Sequence, residues 1–262
     1  MASPAMAYGE RRFAAAYTAR ILATLAVLGL LLGFWAAQTN PRSGVHPLLM
    51  WISVVLVGAL AGFWIVQGKS ALIINDAGVR RESAFAQQEM AWSQIAHTNY
   101  RVVPINAYAH LGLIGALLAA ASKSGRAQLT LELVSGDGKK LKVTSGYCDA
   151  TEAIGIVLAR ILPAMVQSAK TRVQRGETVQ FGGLGLSAVA VTWKKASIPL
   201  SEITKAGIAG SNLQIKKSGK WLAAISVRSD KVPDVLVFLE VLESLAPQVK
   251  ASGIDPLAHV SV

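Results

Sequence analysis

The sequence predicts an α+β membrane protein in which a two-helix transmembrane hairpin is followed by tandem β-rich modules. Each module is expected to be a small barrel or curved sheet closed by a C-terminal helix. Three observations predict this. Two uncharged apolar stretches, Ile21–Ala37 and Leu48–Val66, lie near the N-terminus. A set of short motifs then recurs at regular offsets along the remainder. Each copy of those motifs ends in a single amphipathic helical pattern.

Roughly 17–25 helical residues cross a hydrocarbon core. Leu48–Val66 meets that length alone, and the first run meets it once Thr18 and Ala19 sit at the boundary, giving helices at about 18–37 and 48–66. The connecting Gln38–Pro47 contains Pro41, Gly44 and Pro47 and reads as a tight turn. Gly29/Gly33 and Gly58/Gly62 stand at helical spacing, where small residues let backbones approach in lipid, and they offer a route to oligomers. Tyr17, Trp35, Trp51 and Trp64 fall at the expected headgroup levels. A cleaved leader is the competing reading of the first run, with Arg11, Arg12 and Arg20 as its basic region. A second full-length run so soon afterwards favours retention.

Arg11, Arg12 and Arg20 precede the first run, Lys69 follows the second, and only Arg42 lies between. The positive-inside rule then puts both termini in the cytoplasm. The expectation is a multi-pass protein of a bacterial inner (cytoplasmic) membrane with its folded part cytoplasmic. The single cysteine, Cys148, agrees with a reducing compartment. Net charge is +11, and 22 basic against 14 acidic residues remain beyond position 67. A basic cytosolic part is drawn to an anionic leaflet. No helix-turn-helix, zinc-finger or aromatic RNA-binding pattern accompanies the charge, so nucleic acid is not an expected partner.

The repeat organises the rest. Met90-Ala-Trp-Ser-Gln-Ile95 matches Ile198-Pro-Leu-Ser-Glu-Ile203 at an offset of 108, with Ser93 on Ser201 and Ile95 on Ile203. Gly138-Lys-Lys-Leu141 matches Gly219-Lys-Trp-Leu222 at an offset of 81. The difference of 27 residues locates extra sequence in the first copy around Val103–Arg126, where Leu111–Ala121 is apolar. Such a run is too short to span a bilayer and reads as a buried or interfacial segment. In the first copy Leu129, Leu131 and Leu133 alternate as on a half-buried strand before the turn Ser135–Gly138. Asp149 and Glu152 suggest a capping box for a helix whose stripe is Ile154, Val157, Leu158, Ile161, Leu162 and Met165, with Pro163 kinking or shortening it. In the second copy Pro233 suits a first helical position ahead of Val235, Phe238, Leu239, Leu242 and Leu245. The predicted division is 1–67 for the N-terminal segment and hairpin, 68–172 and 173–250 for the modules, and 251–262 for a tail.

The strand–turn Ile74-Asn-Asp-Ala-Gly-Val79, the Trp-Ser-Gln-Ile step, the Asp-Gly-Lys-Lys-Leu hairpin and the terminal helix resemble a bacterial pleckstrin-homology-like domain. The second copy is similar, with Leu200 where that family usually has Trp. The resemblance covers about 70–247 and includes uncharacterised bacterial membrane proteins of this type. It implies a fold and no common catalytic site.

Gly183-Leu-Gly-Leu-Ser-Ala188 fits the letters of a dinucleotide fingerprint, but Val189-Ala-Val-Thr-Trp193 follows as a strand rather than a helix, so no nucleotide cofactor is expected. His46, His97, His110 and His259 lack zinc-ligand spacing, and no metal is expected. Nothing frames a nucleophile, and no catalytic residue is assigned. The basic residues of the second copy are the sharper feature. Lys194, Lys195, Lys205, Lys216, Lys217 and Lys220 lie between Trp193 and Trp221, opposed only by Glu202, a composition suited to lipid phosphates with indoles at headgroup level. The functional expectation is a non-enzymatic, membrane-anchored binding or scaffold protein that recognises a protein partner or anionic headgroups. The alternative is an accessory subunit of a membrane transport or envelope-maintenance complex.

Overall fold

The computed structural model describes residues 10–15, 70–83, 85–104, 127–144 and 147–252, with isolated helical positions at 28, 29, 35, 55, 58, 59 and 62. The described chain is mainly β, with fifteen strands and two α-helices. A four-stranded antiparallel sheet opens the fold: β1 (Arg11–Ala14), β2 (Ala71–Ile74), β3 (Gly78–Glu82) and β4 (Gln87–Ala91), paired in that order. A 3-10 turn at Trp92–Gln94 leads to a three-stranded sheet, β5 (Ile95–Pro104), β6 (Ala127–Ser135) and β7 (Lys140–Thr144), and then to α1 (Ala150–Gln174). The second half repeats the order. Strands β8 (Val179–Phe181), β9 (Leu184–Leu186), β10 (Ala190–Trp193) and β11 (Ala196–Pro199) form one sheet. After a 3-10 turn at Leu200–Glu202 come β12 (Ile203–Ala209), β13 (Asn212–Lys217) and β14 (Ala223–Arg228), then α2 (Val235–Leu245). A final strand, β15 (Lys250–Ser252), pairs in parallel with β12.

The turns repeat as closely as the strands. Asn75 Oδ1 accepts from the N–H groups of Ala77 and Gly78, and Ser187 Oγ does the same for Val189 and Ala190. The Gly136 N–H donates to the Gln94 carbonyl, and the Ser218 N–H to the Glu202 carbonyl. Gly138 and Gly219 both take positive φ, 84° and 74°, where an L side chain is strained. Ile95 and Ile203 each follow a 3-10 turn and open a strand, but Ile203 is fully buried and Ile95 only partly.

Three sequence expectations are corrected here. The first is the fold class. A two-helix hairpin followed by tandem modules closed by their own helices is not the architecture described. Arg11–Ala14, read as a basic flank ahead of the first apolar run, is β1 and pairs antiparallel with Ala71–Ile74. The stretch 16–69 is thus an insertion between two neighbouring strands of one sheet, at the place where the second half has only Gly182-Gly183 between β8 and β9. The helices do not plug separate barrels either. They pack on each other, α1 also meets β8, and α2 also meets β5. One continuous cluster of buried side chains runs from Phe13 to Val249. The apolar runs themselves lie outside the described residues apart from the isolated positions named above. The one described helix long and apolar enough to cross a membrane is α1, whose face of Ala153, Ile154, Val157, Leu158 and Ile161 is buried in the core.

The second correction concerns helix starts. Asp149 sits in the left-handed region, φ 53°, and its side chain makes no capping bond. Glu152 pairs instead with Arg11 of β1, the segment that sequence reading had placed outside the fold. Pro233 precedes the N-cap, Asp234, rather than opening the helix. The third is the shortening expected at Pro163, which lies inside α1 without ending it. The helix continues to Gln174, held by apolar contacts along its whole length.

Candidate functional site

Two places in the fold concentrate what the sequence singled out. The first is the end of the opening sheet from which the apolar insertion leaves. Ala14, Ala71, Glu82 and Gln87 stand in register across its four strands. The Ala15 N–H donates to the Ser70 carbonyl at 3.0 Å, so the two ends of 16–69 are tied together. Phe85, 88% exposed, lies in the β3–β4 turn at this same end. Ala15 also forms a bridge with Tyr147, and the Cys148 N–H donates to the Ala14 carbonyl at 2.7 Å. The Tyr147 N–H in turn reaches the carbonyl of Thr144, the last residue of β7. Thr144 lies opposite Thr130, and Thr130 opposite Arg101. Only three residues further along β5 is Pro104, paired with Ala127, where the second insertion departs. At about 3.3 Å per strand residue that is about 10 Å. Residues 105–126 lie outside the described residues, but their ends do not. Both apolar insertions therefore leave the first half from the same region.

The second place is the sheet of β12–β15 and the turn beside it. The lysines and tryptophans predicted to act together divide between two sheets. Trp193, Lys194 and Lys195 form the β10–β11 hairpin, where Lys194 takes φ 53°. The Trp193 ring covers Gly183, at which a Cβ would stand 3.0 Å from an indole carbon. Its indole is partly buried against the core, with Lys194 Nζ 5.9 Å from the ring centroid. Lys216, Lys217, Lys220 and Trp221 lie at the other site, at the end of β13 and in the turn to β14. There Lys217 pairs with Glu202, while Trp221 is 85% and Leu222 62% exposed. Lys205 belongs with this group: it lies directly opposite Lys216 on β12, and it faces Lys250 on its other side. Strand register brings in Lys250, which linear spacing gave no reason to select. Of the helix-packing glycines, Gly33 lies outside the described residues. At Gly29, Gly58 and Gly62 a Cβ would meet no heavy atom within 4 Å.

Electrostatics elsewhere mark structural joints. Asp234, nearly buried, accepts from the Thr98 N–H at 2.6 Å and the Thr98 hydroxyl at 3.0 Å, and its other oxygen lies 2.8 Å from His97 Nδ1. This joins α2 to β5 across the repeat. The Arg228 guanidinium beside Asp230 holds that carboxyl below its ordinary range, and burial pushes Glu240 on α2 above it. Among the described residues no group of three or more His, Cys, Asp or Glu is placed to hold a metal ion. Gly183–Ala188 holds strand β9 and is followed by strand β10, leaving no helix N-terminus there to receive a pyrophosphate.

No curated protein matches this sequence. A family model does, and its match extends over both repeats and the insertion between β1 and β2. The chain belongs to that family, described as Family of unknown function (DUF6585), over residues 1–251.

Proposed function

We propose that this chain is a membrane-anchored, non-enzymatic binding or scaffold module, held through segment 16–69 with its folded part on the cytoplasmic face of a bacterial inner membrane. The observation that carries the reading is the pairing of β1 with β2. It returns the chain to the strand beside the one it left, so both ends of an apolar, almost uncharged segment lie on the side of the folded core. The second segment of apolar sequence departs from the same region, where Phe85 is exposed. Such convergence is the mark of a surface built to meet lipid or another apolar partner. The basic excess of the folded part suits the anionic leaflet. Arg11 and Arg12, which sequence counts toward orientation, pair with Glu152 and Glu82 on the folded part.

The test uses Cys148, the only cysteine, exposed beside the exit point. In intact cells an impermeant thiol reagent is expected to leave the membrane-bound protein unlabelled, and to label it once the cells are permeabilised. Replacing 16–69 by two glycines, as the second half does at Gly182-Gly183, should release a folded protein from the membrane. Full-length protein that is soluble without detergent, or labelled in intact cells, would overturn the proposal.

A further inference from the structure

We propose that the outer face of the β12–β13 pair, flanked by β15, is a binding site for a phosphate group. Residues directly opposite on antiparallel strands have Cβ atoms about 5 Å apart, and like charges so placed destabilise the sheet. Lys205 and Lys216 are such a pair. The register of β15 places Lys250 beside Lys205 on the next strand, so three lysines occupy one row across three strands. Among the described residues neither Lys205 nor Lys216 pairs with a carboxylate, the nearby Glu202 being engaged by Lys217. Two like charges placed directly opposite, with no carboxylate partner among the described residues, are stabilised by an anion from outside.

The row borders a cavity of about 200 Å³ lined by Lys205, Gly207, Ala209, Gln214 and Lys216. Gly207 and Ala209 keep its floor low, and the Gln214 amide adds a neutral donor beside the two ammonium groups. The first half supplies an internal control. With Lys205 matched to His97 at the offset of 108, the strand pairing puts Val134 in the place of Lys216 and Glu132 in the place of Gln214. Glu132 is a carboxylate that pairs with Lys140 at 3.5 Å and Lys142 at 4.0 Å, so that face is neutralised from within. The second half has exchanged the carboxylate for an amide and added the lysines. The neighbouring turn projects Trp221 and Leu222 into solvent, which places an apolar wedge next to the cationic row. A phosphate here can come from a lipid headgroup or from a soluble ligand. The site does not depend on the anchor.

The full chain in phosphatidylcholine nanodiscs would be titrated calorimetrically with inorganic phosphate, at matched ionic strength because salt screens such contacts. Saturable binding is expected. It should weaken at least tenfold in Lys205→Gln/Lys216→Gln, and also in Gln214→Glu, which installs the first half's carboxylate. Lys139→Gln/Lys140→Gln on the first half should leave it unchanged. Discs carrying phosphatidic acid should compete with added phosphate if the headgroup is the ligand, relative to discs carrying equal charge as oleate. Equal affinity in the two discs would instead assign a soluble phosphate. No saturable binding in either disc, or equal binding by wild type and Gln214→Glu, would overturn the site.

Discussion

Between β1 and β2 the first half carries residues 15–70, while between β8 and β9 the second carries Gly182 and Gly183. Between β5 and β6 the first half carries 105–126, and between β12 and β13 the second has Gly210-Ser211. Apart from β15 and the 3-10 turn at Ser229–Lys231, found in the second half, the described strands and 3-10 turns of the two halves otherwise follow one plan. Both large differences lie at hairpin turns, where added length costs only a slowly growing closure entropy and disturbs no buried side chain. Specialisation has therefore gone in opposite directions. The first half has gained apolar insertions at its turns. The second keeps short turns and carries its distinctive chemistry as charge on an open sheet face. The membrane is proposed for the first half and the ligand for the second.

The largest expected effect tests whether the equivalent strand openings bear equal load. Ile203 is fully buried and Ile95 only partly, although both follow matching 3-10 turns. Truncating a buried Ile removes its transfer energy and leaves a cavity, so Ile203→Ala should cost about 3–4 kcal/mol and Ile95→Ala about 1–2. Thermal unfolding of the full chain in detergent would give both values. Equal losses would mean that the second half is not packed more tightly at this point.

A smaller effect separates the two helix N-caps. Asp149 and Asp234 hold the same left-handed backbone, φ 53° and 54°, yet only Asp234 uses its carboxylate, bonding Thr98 and His97 across the repeat. Asp→Ala imposes a similar backbone strain at both sites, so the difference isolates the side chain. Asp234→Ala leaves the Thr98 N–H without its carboxylate acceptor and should cost about 2–3 kcal/mol more than Asp149→Ala. Asp234→Asn, which keeps an acceptor and tolerates the conformation, should recover part of it. If the two alanine variants unfold together, the link between α2 and β5 contributes nothing.

What sequence could and could not show follows the same lines. The repeat was legible because its markers are local: a serine and an isoleucine around a 3-10 turn, and a glycine that must take positive φ. Leu200 fills the place of Trp92 but is buried where Trp92 is only partly so, and it lacks the indole N–H that Trp92 donates to the Asn75 carbonyl. Strand β1 was not legible. Arg-Arg-Phe-Ala is short, its strand partner lies about sixty residues away, and its arginines imitate a membrane flank. The lysine row was half legible. Composition collected the lysines, but period-two register and a parallel strand from the tail decide which of them share a face. Trp193 misled for a related reason: nothing local says that its ring lies over Gly183.

The smallest effect concerns acid and the two β-hairpins that end in glycine. In the first half Asp137 accepts from the Ser135 hydroxyl and from the Lys139 N–H at 3.3 Å, and pairs with the Lys139 ammonium at 2.8 Å. The Lys139 ammonium leads, with Ser135 beside it, in holding this carboxyl far below its ordinary value of 3.8. Ser218 occupies the equivalent place in the second half and carries no charge. A depressed folded value means that the turn's stability is fully present above the unfolded value and is lost as pH falls through the folded one. The first hairpin should therefore loosen only in strong acid, while the second holds, and amide exchange at Lys139 and Lys220 would read the two turns in one experiment. The loss must be local and small, because the group is fully exposed and solvent screens it. Asp137→Ser should make the first turn as indifferent to acid as the second. If Lys139 and Lys220 respond to acid alike in the wild type, the hydrogen-bonded aspartate does not set the first turn apart, and the halves differ there in sequence without differing in behaviour.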